Sequence, residues 1–299
     1  MMDSWLRFRA WCKVWPQAIA PQHGLSRLMH RLASSERPWL VRWLIRTLMA
    51  RYPIELRDAL EPDPTRYRSL NAFFTRALRP DTRPLPVDSA LVTSPADGQL
   101  SQVGVLTGQQ LLQAKGRLYS VNQLLAVDAN GVQPFDDGHY ATIYLAPHNY
   151  HRVHAPCDGT INEVIYVPGR LFSVNTLTAS VVPELFARNE RVILRCSGQG
   201  GEFAVVLVGA MLVGSMVLKC YDLAPLYAQR VFRRRRFETG ISVVRGEEIG
   251  HFNMGSTVIL VFARGAVEWG RNAVEGASVL VGQALGRWQD PACHVDTGT

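Results

Sequence analysis

The sequence predicts an α+β fold, with membrane-surface helices at the N-terminus and then a β-rich core of packed antiparallel sheets, barrel- or sandwich-like. Three observations predict it. Helical windows crowded with tryptophan and arginine are confined to residues 1–80. Short β-branched runs separated by Gly, Pro and Asn fill the remainder. A Pro- and Asp-rich link from Arg79 to Asp88 divides the two and sets domain boundaries at 1–80 and 81–299.

In the first region Trp5, Leu6, Phe8, Trp11, Val14 and Trp15 alternate with Arg7, Arg9 and Lys13. Trp39 to Met49 repeats the mixture, and five of the seven tryptophans lie before residue 44. Such helices either pack an apolar face on a core or lie in a membrane interface, tryptophan at headgroup level and arginine on anionic lipid. Tyr67 to Leu78 predicts one more helix, stopped by Arg79-Pro80.

In the second region the predicted strands are Thr142–Leu145, Ile161–Val167, Arg191–Cys196, Phe203–Val208, Met211–Val217, Ile241–Val244 and Thr257–Phe262. Pro95 to Gly98 and Pro156 to Gly159 are punctuated alike, a faint sign of a duplicated hairpin. The run Arg233-Arg234-Arg235-Arg236 reads as a solvated loop or strand edge, with an anionic lipid contact as the functional alternative. Nucleic acid is not an expected partner, because no binding module accompanies the arginines.

The formal charge of +7 suggests an anionic partner. Lysine is confined to Lys13, Lys115 and Lys219, so lysine-dependent chemistry has three candidates. The five cysteines are scattered and odd in number, which argues against a disulfide framework or zinc knuckle and fits a reducing compartment. Arg7, Arg9 and Lys13 interrupt any signal-peptide core, and no uncharged run approaches the length of a membrane span.

Three places combine reactive groups with turn residues. Ser94-Pro95-Ala96-Asp97-Gly98 puts an acid on a tight turn. Tyr150-His151-Arg152-Val153-His154-Ala155-Pro156 holds two histidines three apart, on opposite faces of a strand or one face of a helix. Gly255-Ser256-Thr257 opens directly into the apolar run Val258–Phe262. An acid, a histidine and a hydroxyl are the parts of a nucleophilic triad. Read from the residues alone, three functions stay open. One is a serine nucleophile served by a His–Asp pair, and another is a zinc hydrolase using His151, His154 and Asp97. The third is a non-enzymatic, peripheral membrane-binding module.

A longer series of motifs resembles the bacterial phosphatidylserine decarboxylase proenzymes. It comprises Phe73-Phe74-Thr75-Arg76, Arg83-Pro84, Ser94 to Gly98, Lys115-Gly116 with Tyr119-Ser120, and Tyr150 to His154. It continues through Pro168 to Asn175, Leu185 to Arg191, Val208-Gly209-Ala210 with Val213-Gly214-Ser215, and Gly246 to Val258. Met254 departs from the leucine common before Gly-Ser-Thr, a swap of similar volume.

The resemblance implies a chain that cuts itself between Gly255 and Ser256. His154, oriented by Asp97, would take the Ser256 proton, and the alkoxide would attack the Gly255 carbonyl to give an ester. β-Elimination would then release a β chain, 1–255, and leave dehydroalanine at the head of an α chain, 256–299. Hydrolysis would yield ammonia and a covalent pyruvoyl group. That group would form a Schiff base with phosphatidylserine, accept the electrons left by carbon dioxide, and release phosphatidylethanolamine. Neither a catalytic lysine nor a metal is implied. His151 would assist decarboxylation or reprotonation, with Ser173 and Asn175 near the head group. The resemblance further implies a homodimer on the cytoplasmic face of the membrane, and it favours the interfacial reading of the helices.

Overall fold

A computed structural model describes residues 4–114, 117–211, 215–253 and 256–289; Lys115, Met254 and Gly255 lie outside the described residues. Three helices open the chain, α1 (Ser4–Ile19), α2 (Gln22–Ala33) and α3 (Pro38–Arg51). Pro38 sits in the first turn of α3, where its missing N–H costs nothing. Ala33, Val41, Ile45, Ile54, Leu56, Leu70 and Phe73 give this region a small core of its own. No helix among the described residues is long and apolar enough to cross a membrane. Large apolar side chains nevertheless face outward on all three: Trp11, Trp15 and Ile19, then Leu25, Leu28 and Leu32, then Trp39 and Trp43. Trp11 and Trp15 stack with ring centroids 4.9 Å apart.

The helix expected over Tyr67–Leu78 shortens to α4 (Leu70–Phe74). Ser69 caps its start, accepting from the Ala72 N–H at 3.0 Å. Beyond Phe74 the backbone pairs elsewhere: Leu60 N–H donates to the Ala77 carbonyl, and Ala59 and Leu78 form a β-bridge. Burial of Phe73 and Phe74 sets where the helix lies, and a tertiary contact ends it.

Sixteen strands follow among the described residues. The first eight are β1 (Leu91–Thr93), β2 (Gly98–Val105), β3 (Gln110–Ala114), β4 (Arg117–Ser120), β5 (His139–Leu145), β6 (Arg152–His154), β7 (Gly159–Val167) and β8 (Arg191–Gly198). The rest are β9 (Gly201–Val208), β10 (Met216–Leu218), β11 (Arg233–Val243), β12 (Glu248–Phe252), β13 (Ser256–Phe262), β14 (Val267–Trp269), β15 (Ser278–Val279) and β16 (Ala284–Trp288). One eight-stranded antiparallel sheet runs β11-β7-β8-β9-β13-β5-β2-β15. Two three-stranded sheets, β1-β16-β14 and β10-β12-β6, and a β3-β4 hairpin complete the core.

Both faces of the large sheet are covered, which is why its central strands lack polar alternation. Along β13, Val258, Leu260 and Phe262 join one apolar cluster while Ile259 and Val261 join another. Each fully buried aliphatic side chain there stabilises the fold by about 1.5–3 kcal/mol.

Six of the seven expected strands occupy strands, though Ile241–Val244 proves to be the end of the longer β11. For Met211–Val217 the strand is β10, displaced toward Leu218; residues 212–214 lie outside the described residues. The four arginines 233–236 open β11, exposed along the outer edge of the large sheet. Cations on an edge discourage pairing with another chain. Arg234 and Arg236 both reach Glu163 on β7, at 3.6 and 2.8 Å. The two similar turns lie against each other: His154 N–H donates to the Pro95 carbonyl and Thr93 N–H to the Pro156 carbonyl, both at 2.8 Å.

Candidate active site

Ser256 is the first residue of β13 and is 0 % exposed. It pairs with Leu145 at the end of β5, while pairing with β9 begins only at Thr257. Its hydroxyl is buried without a hydrogen-bond partner, as is that of Thr257. An orphaned buried hydroxyl is costly and calls for an explanation. Ser256 lines a cavity of about 210 Å³ together with Tyr144, Leu145, Pro147, Ser173, Val174, Ala210 and Met211. Leu48 and Tyr52, from α3 and its C-cap, and Phe74 from α4 close the remaining wall. The cavity therefore lies between the sheet and the helical region. The partner in the expected cut, Gly255, lies outside the described residues.

His151 stands closest to this point in the topology. Its Nε2 is 3.1 Å from the carbonyl of Ala146, the residue after the Ser256 partner Leu145. A carbonyl only accepts, so Nε2 carries the proton and Nδ1, which is buried with no partner, keeps its lone pair. The ring stacks on Phe74, which lines the cavity. Burial, and then the charge of Arg76, push the His151 pKa down to about 3. The 73–76 motif holds the segment around it: Arg76 donates to the carbonyls of His148 and Asn149 at 3.0 and 3.3 Å, and the Thr75 carbonyl accepts from Arg152 Nε at 3.0 Å.

His154 is fixed at both nitrogens. Nδ1 donates to the Gly246 carbonyl at 2.7 Å, which leaves Nε2 as the acceptor for the Tyr150 hydroxyl at 3.0 Å. Gly246 has left-handed backbone (φ +82) that a side chain would strain. Burial lowers the His154 pKa, against the opposing hydrogen bond to Gly246 and the charges of Glu248 and Asp97. Glu248, opposite His154 in the β12–β6 ladder, is held at about 2. Burial alone would raise it, but His251 at 3.6 Å, the hydrogen bond from Arg152 and the charges of Arg152 and Lys219 outweigh that.

Asp97 makes no hydrogen bond to His154. Its carboxylate accepts two bonds from Arg83, from Nε at 3.1 Å and a terminal nitrogen at 2.6 Å, and one from the Val281 N–H at 2.8 Å. The other terminal nitrogen of Arg83 reaches Asp58 at 2.9 Å. After Asp97, a Cβ at Gly98 would lie 2.4 Å from the Tyr144 carbonyl oxygen, so glycine lets β2 close on β5. Strands β2, β5 and β13 are neighbours, which brings Asp97 and Ser256 to the same end of the sheet, two strands apart.

Of the expected head-group residues, Ser173 lines the cavity and its N–H donates to Gln17 Oε1 at 2.9 Å. Asn175 caps the helix Thr176–Val181, its Oδ1 accepting from Thr178 N–H at 2.9 Å. The donor set of a zinc site is not gathered: Asp97, His154 and His151 each spend polar atoms on different partners, and no metal-ligating group of three occurs among the described residues.

Sequence reasoning gave no role to Leu48, Tyr52, Phe74, Arg83 or Tyr150. The Phe73–Arg76 and Arg83-Pro84 motifs were visible, but which side chain they clamp depends on contacts spanning 14 to 77 positions. For Tyr150 the signal was its four-residue spacing from His154.

A family model described as phosphatidylserine decarboxylase matches residues 70–287, and a second, described as PSD, matches residues 12–53. Curated relatives are similar over nearly their whole length. The phosphatidylserine decarboxylase proenzyme of Marinobacter nauticus is 44% identical over 273 residues, 91% of this chain and 96% of that protein. That of Bordetella avium is 44% identical over 282 residues, 94% and 95% of the two. That of Coxiella burnetii is 42% identical over 266 residues, 89% and 94%.

Proposed function

The chain belongs to the phosphatidylserine decarboxylase family, and we propose that it converts phosphatidylserine to phosphatidylethanolamine with a pyruvoyl group made from its own Ser256. The observation that carries this reading is the Ser256 hydroxyl, fully buried, without a partner, at the edge of a cavity of about 210 Å³. Most buried hydroxyls in folded proteins are paired, and of the orphaned ones among the described residues it is Ser256 that lines this cavity. The position also fits the finished group: a small backbone-borne carbonyl there would face the cavity without displacing a hydrogen-bonded side chain. Such a carbonyl, when present, supplies the electron sink for loss of carbon dioxide from an amine substrate.

The chain's own residues do the rest. Nδ1–H on the Gly246 carbonyl leaves His154 Nε2 as a base, and burial keeps it neutral. In this reading Nε2 exchanges the Tyr150 hydroxyl for that of Ser256 during self-cleavage, and the Ser256 oxygen attacks the Gly255 carbonyl. Asp97 acts at one remove, held by Arg83, with its charge favouring the imidazolium that forms. His151 Nδ1, neutral and without a partner, holds or returns a proton beside the cavity. Leu48, Tyr52 and Phe74 exclude water, and Ser173 faces the head group.

In the same reading the protein works on an anionic membrane surface at the cytoplasmic face, with residues 1–80 as the associating region and 81–299 as the catalytic domain; the outward tryptophans of α1 and α3 support an interfacial role. A homodimer belongs to the same reading, and sedimentation at equilibrium checks it. Denaturing electrophoresis and mass spectrometry test the central claim. Wild-type protein should give fragments 1–255 and 256–299, the smaller bearing a keto group, and Ser256→Ala should stay whole. A wild-type chain that remains intact while decarboxylating phosphatidylserine would refute it.

A further inference from the structure

One wall of the Ser256 cavity, Ser173 and Val174, belongs to a loop whose other end carries cations that the reaction does not use. Arg170 and Arg188 both lie over the Phe172 ring, each guanidinium carbon 5.6 Å from its centroid. His23 on α2 meets the same loop, its Nε2 3.0 Å from the Gly169 carbonyl. Arg170 donates to the Ala18 carbonyl at 2.5 Å, and Leu171 N–H to Gln22 Oε1 at 2.9 Å, so the loop is docked where α1 meets α2. Arg27 lies one turn beyond His23 and shares its face. Arg230, left-handed at the end of the helix Ala224–Gln229 (φ +51), adds its charge.

These groups act on one another. Burial, and then the charges of Arg230, Arg170 and Arg27, lower the His23 pKa against its backbone hydrogen bond. No described carboxylate forms an ion pair with Arg27, Arg170, Arg188 or Arg230; the described ion pairs of the chain use other arginines. Glu190, the acid that Arg230 does influence, is buried, hydrogen-bonded by the Tyr166 hydroxyl at 3.1 Å, and pushed up to about 7 by that burial. It is a poor counter-charge.

Beside this cluster, α2 exposes Leu25, Leu28 and Leu32, spaced to form one stripe. No acidic residue occurs from Ser4 to Ser35. A helix with an apolar stripe flanked by cations lies in a membrane interface, where its arginines meet lipid phosphates, and guanidinium matches phosphate in a bidentate fork.

We propose that His23, Arg27, Arg170, Arg188 and Arg230 form a binding site for the phosphate of an anionic phospholipid of the bilayer, separate from the Ser256 cavity and joined to it by the backbone from Arg170 to Val174. The site rests on the membrane-surface reading above and adds selectivity to it. Four residues span at most about 14 Å, so the bound lipid is an immediate neighbour of the one being processed.

Vesicle co-sedimentation of the full chain tests the site, using phosphatidylcholine alone and phosphatidylcholine mixed with phosphatidylglycerol. The double variant Arg27→Gln/Arg188→Gln removes two guanidiniums that make no described hydrogen bond, so the fold should survive. Its binding to the phosphatidylglycerol vesicles should fall about ten- to thirty-fold, with binding to phosphatidylcholine unchanged. Arg233→Gln/Arg235→Gln, equal in charge but on the β11 edge, should bind nearly as wild type. Equal losses in the two double variants would reduce the site to net charge and overturn it. So would unchanged vesicle binding with a raised KM for phosphatidylserine in neutral vesicles, which would make the cluster a reader of the substrate's own phosphate. Wild-type protein that binds neither vesicle would instead sink the membrane reading itself.

Discussion

The rings of Phe74 and His151 stack with centroids 4.2 Å apart and 28° between their planes. This contact ties the helical region to the segment between β5 and β6 and keeps an imidazole dry beside the cavity that Ser256 lines. It also has a thermodynamic signature. With a folded pKa of about 3 and an unfolded value of 6.5, the unfolded chain takes a proton that the folded chain refuses. Stability from this group is whole above about pH 6.5 and is lost as pH falls toward 3, about 2 kcal/mol of it by about pH 5. Urea unfolding at neutral and mildly acidic pH should show that loss in wild type and a smaller one in His151→Gln. Identical slopes would mean that the ring is solvated.

Arg83 grips Asp97 through two nitrogens and Asp58 through the third. Arg83→Leu leaves the Asp97 carboxylate buried with one backbone N–H, and should cost about 3 kcal/mol in chemical denaturation. Arg83→Leu combined with Asp97→Asn should cost much less than the sum of the two single changes. Additive losses would show the pair to be uncoupled.

Ala210 is a small residue on the cavity wall. Ala210→Leu should reduce decarboxylation by at least about tenfold at a stability cost of about 1–3 kcal/mol. The proposed self-cleavage would use only groups within the chain, so it should persist on the gel. Full lipid turnover in a verified Ala210→Leu protein would place the substrate elsewhere.

The Tyr150 hydroxyl occupies the His154 nitrogen that the proposed self-cleavage would use. A hydrogen bond of this kind is worth about 1 kcal/mol, so Tyr150→Phe should speed self-cleavage about fivefold. Pulse-chase of newly made chain measures it. A slower variant would make the tyrosine a proton carrier instead of a competitor.

The β core was legible because a sheet covered on both faces leaves unbroken apolar runs, as at Val258–Phe262. Ser256 was legible as the polar entrance to the most buried of them. The helix over Tyr67–Leu78 was overextended because periodicity does not report the bridge from Ala59 to Leu78 that claims the backbone. The expected pairing of Asp97 with His154 is absent for a similar reason. A short acid binds whichever donor the fold presents, and Arg83 comes from a separate segment fourteen residues upstream. Gly246 could not be foreseen as the partner of His154, since a backbone carbonyl has no sequence signature.

Ser256 heads a strand that lies between β5 and β9, in register with Leu145 through His139 on one side and, from Thr257, with Val208 through Phe203 on the other. Downstream, β15 pairs with β2, and β16 pairs with both β1 and β14. A cut before Ser256 would therefore leave two interlocked pieces, the shorter supplying strands to two sheets that it shares with the longer. They could separate only by unfolding together, so the pieces would not exchange between molecules. A reactive group formed at that new chain end would last as long as the folded molecule that made it.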